Sequence, residues 1–170
     1  MPEILAIPTD TCYGLACSID DASSYDWLYR LKGRDFTKPL AIIVRSFDDL
    51  HEYIEITDSE LHFLEAYPFP FTILWKPKLL PSFLDPYRYT LLGLRVAEKC
   101  LAPLFHDLPF PLFLTSANRS WEKECMTREE VRAVFGDAVT VLWEVSQWKP
   151  PSNIFFFTAT GIHFIRKNYP

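Results

Sequence analysis

Hydrophobic and polar positions break this chain into short apolar runs, each closed by a polar or glycine-bearing turn. Ile4 to Pro8 is one such run and predicts a buried strand. After Asp20-Asp21, the residues Tyr25, Leu28, Tyr29 and Leu31 form an apolar stripe at helical spacing. A helix is therefore expected through about Lys32, with an acidic cap before it and Gly33 free to turn left-handed after it. Leu40 to Val44 predicts a strand, Ser46 or Asp48 the start of a short helix, Asp58 to Ala66 a helix, and Phe71 to Trp75 a strand. Further along, Leu91 to Val96 predicts a strand, Cys100 to Asp107 a helix, and Leu112 to Thr115 a strand opening onto a polar turn. Thr127 with Glu130 is a capping box, starting a helix that stops at Gly136. Val139 to Trp143 predicts a strand, and Ile154 to Phe157 with Ile162 to Ile165 a hairpin about Gly161.

Strands alternate with helices for most of the length and pair locally at the end. That order argues for an α/β fold, one domain over 1–170, with a twisted mixed β-sheet and flanking helices. No internal repeat or low-complexity linker interrupts it. The segment from Lys76 to Tyr89, rich in proline and aromatics, is the best candidate for a long surface loop or lid.

Composition narrows the function classes. Hydrophobic residues make up 49% and charged residues 23% of 170 residues, the balance of a folded chain with a substantial core. Net charge is -5, from 17 basic and 22 acidic residues, which argues against a phosphate-gripping nucleic-acid surface and makes any RNA contact weak or indirect. The local cluster Arg30, Lys32, Arg34 and Lys38 is sized for one polyphosphate. The cysteines, at 12, 17, 100 and 125, and the histidines, at 51, 62, 106 and 163, have no metal-ligand spacing, so free thiols in a reducing cytoplasm are expected and no metal site. No apolar stretch reaches the ~18 residues that span a bilayer, and no leader is evident.

Three blocks carry the chemistry: Pro8-Thr9-Asp10-Thr11-Cys12-Tyr13-Gly14-Leu15, then Lys32-Gly33-Arg34 with Lys38-Pro39-Leu40, then Thr115-Ser116-Ala117-Asn118-Arg119-Ser120. Taken alone, the first reads as a polar turn whose hydroxyls satisfy the backbone. The second alone is balanced between a phosphate clamp and a helix terminus that favours cations. Together and in this order they resemble the YrdC-like family of threonylcarbamoyl-AMP synthases. The resemblance implies an enzyme that joins L-threonine, bicarbonate and ATP into an activated adenylate, releasing pyrophosphate, for the threonylcarbamoyl modification of tRNA. It also implies Mg²⁺ arriving with ATP, and partner proteins that pass the product to tRNA.

By the same resemblance, Lys32 and Arg34 would contact the phosphates and stabilise the leaving group, and Lys38 would be a secondary phosphate contact. Thr9 and Thr11 would be pocket hydroxyls, Thr11 on the threonine side. Thr115, Ser116 and Asn118 would bind the nucleotide. Arg95 would hold the threonine carboxylate as a fork, and Ser152 and Arg166 would flank the adenylate. Cys12 is expected to pack rather than react. The chain departs from the family pattern in three places. Only seven residues precede Pro8, where a helix is usual; Phe69 stands in a turn that usually carries glycine; and Trp121 follows Ser120 where glycine is common. The end at Pro170 resembles the short form without a second domain. A rival reading is a YrdC-like module that binds nucleotide or RNA without turnover. Another, related to the hydrogenase-maturation carbamoyltransferases, lacks the zinc-finger cysteines it would need.

Overall fold

The computed structural model describes residues 1–101, 104–144 and 148–170. The chain begins with strands β1 (Leu5–Pro8) and β2 (Tyr13–Ser18), followed by helix α1 (Ala22–Lys32). Asp21 caps α1, its side chain accepting from the amides of Ser23 and Ser24; the hydroxyls of Ser24 and Ser23, which also donate to it, are the main cause holding its carboxyl down at about 2. Gly33 ends the helix at φ 62. Next come β3 (Ala41–Val44), α2 (Leu50–Tyr53), α3 (Asp58–Ala66) and β4 (Phe71–Trp75). Then follow β5 (Leu92–Val96), α4 (Ala97–Cys100), β6 (Leu112–Ser116), α5 (Arg128–Phe135), β7 (Thr140–Val141), β8 (Asn153–Thr158) and β9 (Gly161–Arg166). Both α3 and α5 start with complete capping boxes, Thr57 with Glu60 and Thr127 with Glu130.

Among the described residues all nine strands join one sheet, in the order β7-β1-β2-β6-β3-β5-β4-β8-β9. It is mixed: β1 pairs antiparallel with β2, β2 with β6 and β6 with β3, whereas β3 and β5 run parallel. One face, carrying Tyr13, Leu15, Ile42, Leu94, Phe113 and Phe155, packs against Tyr25, Leu28, Leu64 and Val131 of the helices. The opposite face carries a smaller cluster of Ile7, Ala16, Ile43, Leu112 and Leu114, against which Leu5, Leu142 and Trp143 pack. The rest of that second face is open and forms the floor of a cleft.

Three sequence expectations change. The strand β2 was not anticipated: five of its six residues are buried, so it lacks the polar alternation that marks a strand, and Gly14 weakens its propensity further. The helix expected from Cys100 to Asp107 is instead the single turn α4, which ends where Leu101 adopts φ -123, ψ -5, and a separate 3₁₀ turn at Leu104–Asp107. Residues 102 and 103 lie outside the described residues. The strand expected from Val139 to Trp143 is shorter: Thr140–Val141 pairs with β1 and the Leu142 amide donates to the Ala6 carbonyl, before Trp143 turns to φ 50.

The Lys76 to Tyr89 segment contains a 3₁₀ turn at Ser82–Tyr87 and packs on α1, not over the cleft. The rings of Tyr29, Phe36, Tyr87 and Tyr89 stack in sequence, with centroid separations of 4.3, 5.4 and 5.4 Å. Among the described residues no helix is long and apolar enough to cross a membrane.

Candidate functional site

The turn Thr9 to Cys12 joins β1 to β2, so it is a hairpin loop at one end of the sheet. The register Gly14↔Ser116 brings the Ser116 turn beside it, and Ala41↔Leu114 brings the start of β3 to the same end. All three sequence blocks therefore converge at one rim. The sheet also curls there. Arg95 on β5 reaches Asp10 in the β1–β2 turn, at 2.7 Å from Nη2 to Oδ1. Four inter-strand steps separate β5 from β1, about 19 Å across a flat sheet, a gap that the twist of the sheet, the long Arg95 side chain and the β1–β2 turn close together.

The concave face encloses a cavity of about 650 Å³. Its floor is low because Ala41 and Gly93 sit on the adjacent strands β3 and β5, and Gly14 lies on β2 across β6. A Cβ on Gly93 would meet Thr72 Cγ2 at 3.0 Å, and one on Gly14 would meet Leu114 Cδ1 at 2.6 Å. Thr11, Thr115 and Ser116 line one wall, and Ser152 and Arg166 the other. Arg166 donates from Nε to the Ser152 carbonyl at 2.9 Å and from Nη2 to its hydroxyl at 3.2 Å. The Lys149 amide donates to the Asp10 carbonyl at 2.9 Å, which pulls the 148–152 segment against the hairpin turn.

A second cavity of about 330 Å³ adjoins the first and shares Arg34 and Ser116 with it. Lys32, Arg34 and Lys38 line it together with Asn118, Ser120 and Trp121. Their electrostatic positions differ. Lys32 is 3% exposed and donates to the carbonyls of Ser116 and Asn118 and to Asn118 Oδ1. All three of its protons are thus used in holding the Ser116 turn. Burial, with Arg34's charge adding to it, lowers this ammonium from 10.5 to about 8. Arg34 donates from Nε to the Lys38 carbonyl and from Nη2 to the Pro39 carbonyl, both at 3.1 Å. Lys38 Nζ lies 4.2 Å from the centre of the Trp121 ring. Trp121 sits at φ 72, where a non-glycine residue carries about 1–2 kcal/mol of backbone strain.

The sequence matches the Sua5–YciO–YrdC family, whose description is telomere recombination, over residues 2–168. This chain belongs to that family. It is 34% identical over 132 residues to the threonylcarbamoyl-AMP synthase of Mus musculus, a match covering 75% of this chain and 46% of that protein. It is 30% identical over 160 residues to the threonylcarbamoyl-AMP synthase of Vibrio vulnificus, covering 89% of this chain and 86% of that one. The chain thus spans about half the length of its mammalian relatives. The structure of P. abyssi Sua5 complexed with L-threonine superposes with a TM-score of 0.80 at 19% identity, over 97% of this chain and 50% of that one.

Within this Sua5–YciO–YrdC domain the sequence-derived residues divide by what they touch. Thr9, Thr11, Thr115, Arg95, Ser152 and Arg166 line the larger cavity, Lys32, Lys38 and Asn118 the smaller, and Arg34 and Ser116 both. The geometry changes three expectations. Lys32 points its donors into the Ser116–Asn118 turn, so it positions that turn. Thr9 donates its hydroxyl to the Cys12 carbonyl at 2.8 Å and so serves its own loop. Arg95 has Nη2 on Asp10 and Nε on the Phe71 carbonyl, which leaves Nη1 and no free fork. Cys12 lines the cavity, but burial pushes its thiol up, against a hydrogen bond from Thr11 that pulls it down, and so keeps it protonated.

Sequence reasoning missed the cavity floor and the 148–149 wall. Glycine inside a strand, at 14 and 93, was the available signal for a close approach. Nothing local marked Trp148, which joins the wall only because its ring lies 5.7 Å from Tyr13. The Phe69 departure has a partner: its ring stacks on Tyr169 at 5.0 Å. Tyr169 donates from its hydroxyl to the Pro150 carbonyl and from its amide to Asn153 Oδ1, so this stack ties the chain end to the cavity wall.

Proposed function

We propose that this chain is a threonylcarbamoyl-AMP synthase, forming the adenylate from L-threonine, bicarbonate and ATP. The observation that carries the reading is the pairing of a 650 Å³ hydroxyl- and arginine-lined chamber with a 330 Å³ cationic annex, joined through Arg34 and Ser116. The names of the relatives and the family membership support it. The product would serve tRNA modification through partner proteins, and the net charge of -5 favours hand-over to them above direct RNA binding.

In this reading the chamber takes the adenylate and threonine, and the annex takes the distal phosphates. The threonine amine bonds to the bicarbonate carbon with loss of water, giving a carbamate whose oxygen attacks the α-phosphorus. The bond from that phosphorus to the bridging oxygen breaks, and pyrophosphate leaves into the annex. Such a displacement needs positioning and charge neutralisation more than covalent help. Arg34, at the junction of the two cavities with Nε and Nη2 already anchored, keeps Nη1 for the phosphate on which charge changes. Ser116 offers its hydroxyl from the same junction. The Arg95–Asp10 pair places one guanidinium nitrogen near the threonine side without adding net charge.

No three His, Cys, Asp or Glu side chains converge as metal ligands among the described residues. The cavities are lined instead by cations, hydroxyls and single carboxylates, Asp35 in the annex and Glu124 in the chamber. That set fits a magnesium ion held mainly by the phosphates, with Asp35 as the carboxylate on their side. Bound there, it would neutralise phosphate charge.

The test is pyrophosphate release from ATP, with threonine and bicarbonate each omitted in turn. Release that requires both is expected. ATP binding without release would leave only a nucleotide-binding module.

A further inference from the structure

The annex holds its three cations in different ways. Lys32 has no proton to spare, and Arg34 has two nitrogens committed to carbonyls. Lys38 differs from both. Among the described residues its ammonium meets no carbonyl or carboxylate; it lies over the Trp121 ring. A ring face attracts a cation without accepting a directional hydrogen bond, so the ammonium is held in place with its protons unspent. A phosphate oxygen arriving in the annex can take those protons, and a charge-assisted hydrogen bond is stronger than an exposed cation–π contact.

The cost of placing tryptophan there points the same way. Trp121 is 91% exposed, so burial offsets little of the strain at φ 72. Glycine would adopt that backbone freely and leave the fold no worse. The Trp121 ring lies against the Lys38 ammonium. Strain that the fold does not need, at the mouth of a cationic cavity, marks a position held for binding.

We propose that Trp121 is a positioning residue that holds the Lys38 ammonium at the mouth of the annex, ready for a polyphosphate. This deepens the reading of the annex as the phosphate side of the site and rests on it. The consequence is a preorganised receptor: without the ring, a four-carbon side chain must be immobilised when the anion binds, and that ordering lowers affinity.

Calorimetric titration of the full chain with inorganic pyrophosphate tests this. Trp121→Ala and Trp121→Gly should weaken pyrophosphate binding roughly two- to fivefold, and Trp121→Phe less, as a weaker ring face predicts. In a Lys38→Met background, Trp121→Ala should have no further effect, since the ring acts through that ammonium. Thermal midpoints give the opposing readout: Trp121→Gly should melt at or above the parent temperature while binding more weakly, which a structural role for the ring would not produce. Equal affinity in the parent and Trp121→Ala would overturn the inference, as would an undiminished loss in the Lys38→Met background. If the parent does not bind pyrophosphate, both the inference and the functional reading fall. If the coupling is present but pyrophosphate release is independent of threonine, the inference stands and the synthase reading fails.

Discussion

Arg34 and Lys32 are adjacent in the same sequence block yet do different work. Arg34 borders both cavities with an uncommitted nitrogen, so Arg34→Ala should lower kcat/KM for ATP about 10²–10³-fold, the usual loss for one charge-stabilising donor. Its two carbonyl contacts are partly exposed, so the thermal midpoint should move little, which a melting curve checks. Lys32 should instead show itself through pH. Burial holds its folded-state value at about 8 against 10.5 when free, so the folded protein releases this proton before the unfolded chain does. Between about pH 8 and 10.5 the unfolded chain binds more protons, and stability therefore rises with pH across that window as far as this group is concerned. Over the same window the ammonium that grips the Ser116 and Asn118 carbonyls is lost. ATP affinity in the parent should then fall as pH passes about 8, and Lys32→Met should lack that limb; an identical limb in both would remove Lys32 from the site.

The loop that carries Arg34 and Lys38 is held by side chains that do not line the cavities. The Tyr29 hydroxyl donates to the Lys38 carbonyl at 2.8 Å, and the Tyr89 hydroxyl donates to the Phe36 carbonyl. The four-ring stack runs between these two bonds. The Lys76 to Tyr89 segment thus acts on the site as a buttress and not as a lid. Tyr89→Phe keeps the stack but removes a half-buried hydroxyl that donates to the Phe36 carbonyl and also meets the Tyr25 and Tyr29 hydroxyls, which should cost about 1–2 kcal/mol in urea denaturation. It should also raise KM for ATP more than it lowers kcat, because it loosens the loop and leaves the reacting groups unchanged. The caps of α1 and α5 were readable from Asp20-Asp21 and Thr127 because capping is a local matter between neighbours in sequence, whereas the Thr57 box of α3 was seen only in the structure. Strand β2 was not readable, since its burial on both faces depends on β1, β6 and the layers above and below.

At the scale of the whole molecule the proposed site rests on the concave sheet and the small residues that line it. Gly93→Ala adds one methyl 3.0 Å from Thr72 and 3.4 Å from Ala41, in the cavity floor. It should raise KM for ATP or threonine while costing stability of about 1–3 kcal/mol, the range for overpacking, and a KM equal to the parent's would show that substrate lies elsewhere. The sequence by itself determined the α/β class, most element boundaries, and the residue types of the site, because periodicity, caps and the order of short polar blocks are written along the chain. That the blocks holding Arg34, Lys38 and Ser116 meet at one end of the sheet follows from strand pairing. Only the tertiary structure decided which of those groups remain available. Lys32 is spent on the Ser116–Asn118 turn, Thr9 on its own loop and two nitrogens of Arg95 on Asp10 and Phe71, while Lys38 rests on a ring from another block. The physical reason is that donors are finite. Whether a cation faces a ligand or a backbone carbonyl depends on what the fold brings within 3 Å of it, and that is set by strand pairing across more than eighty residues of chain.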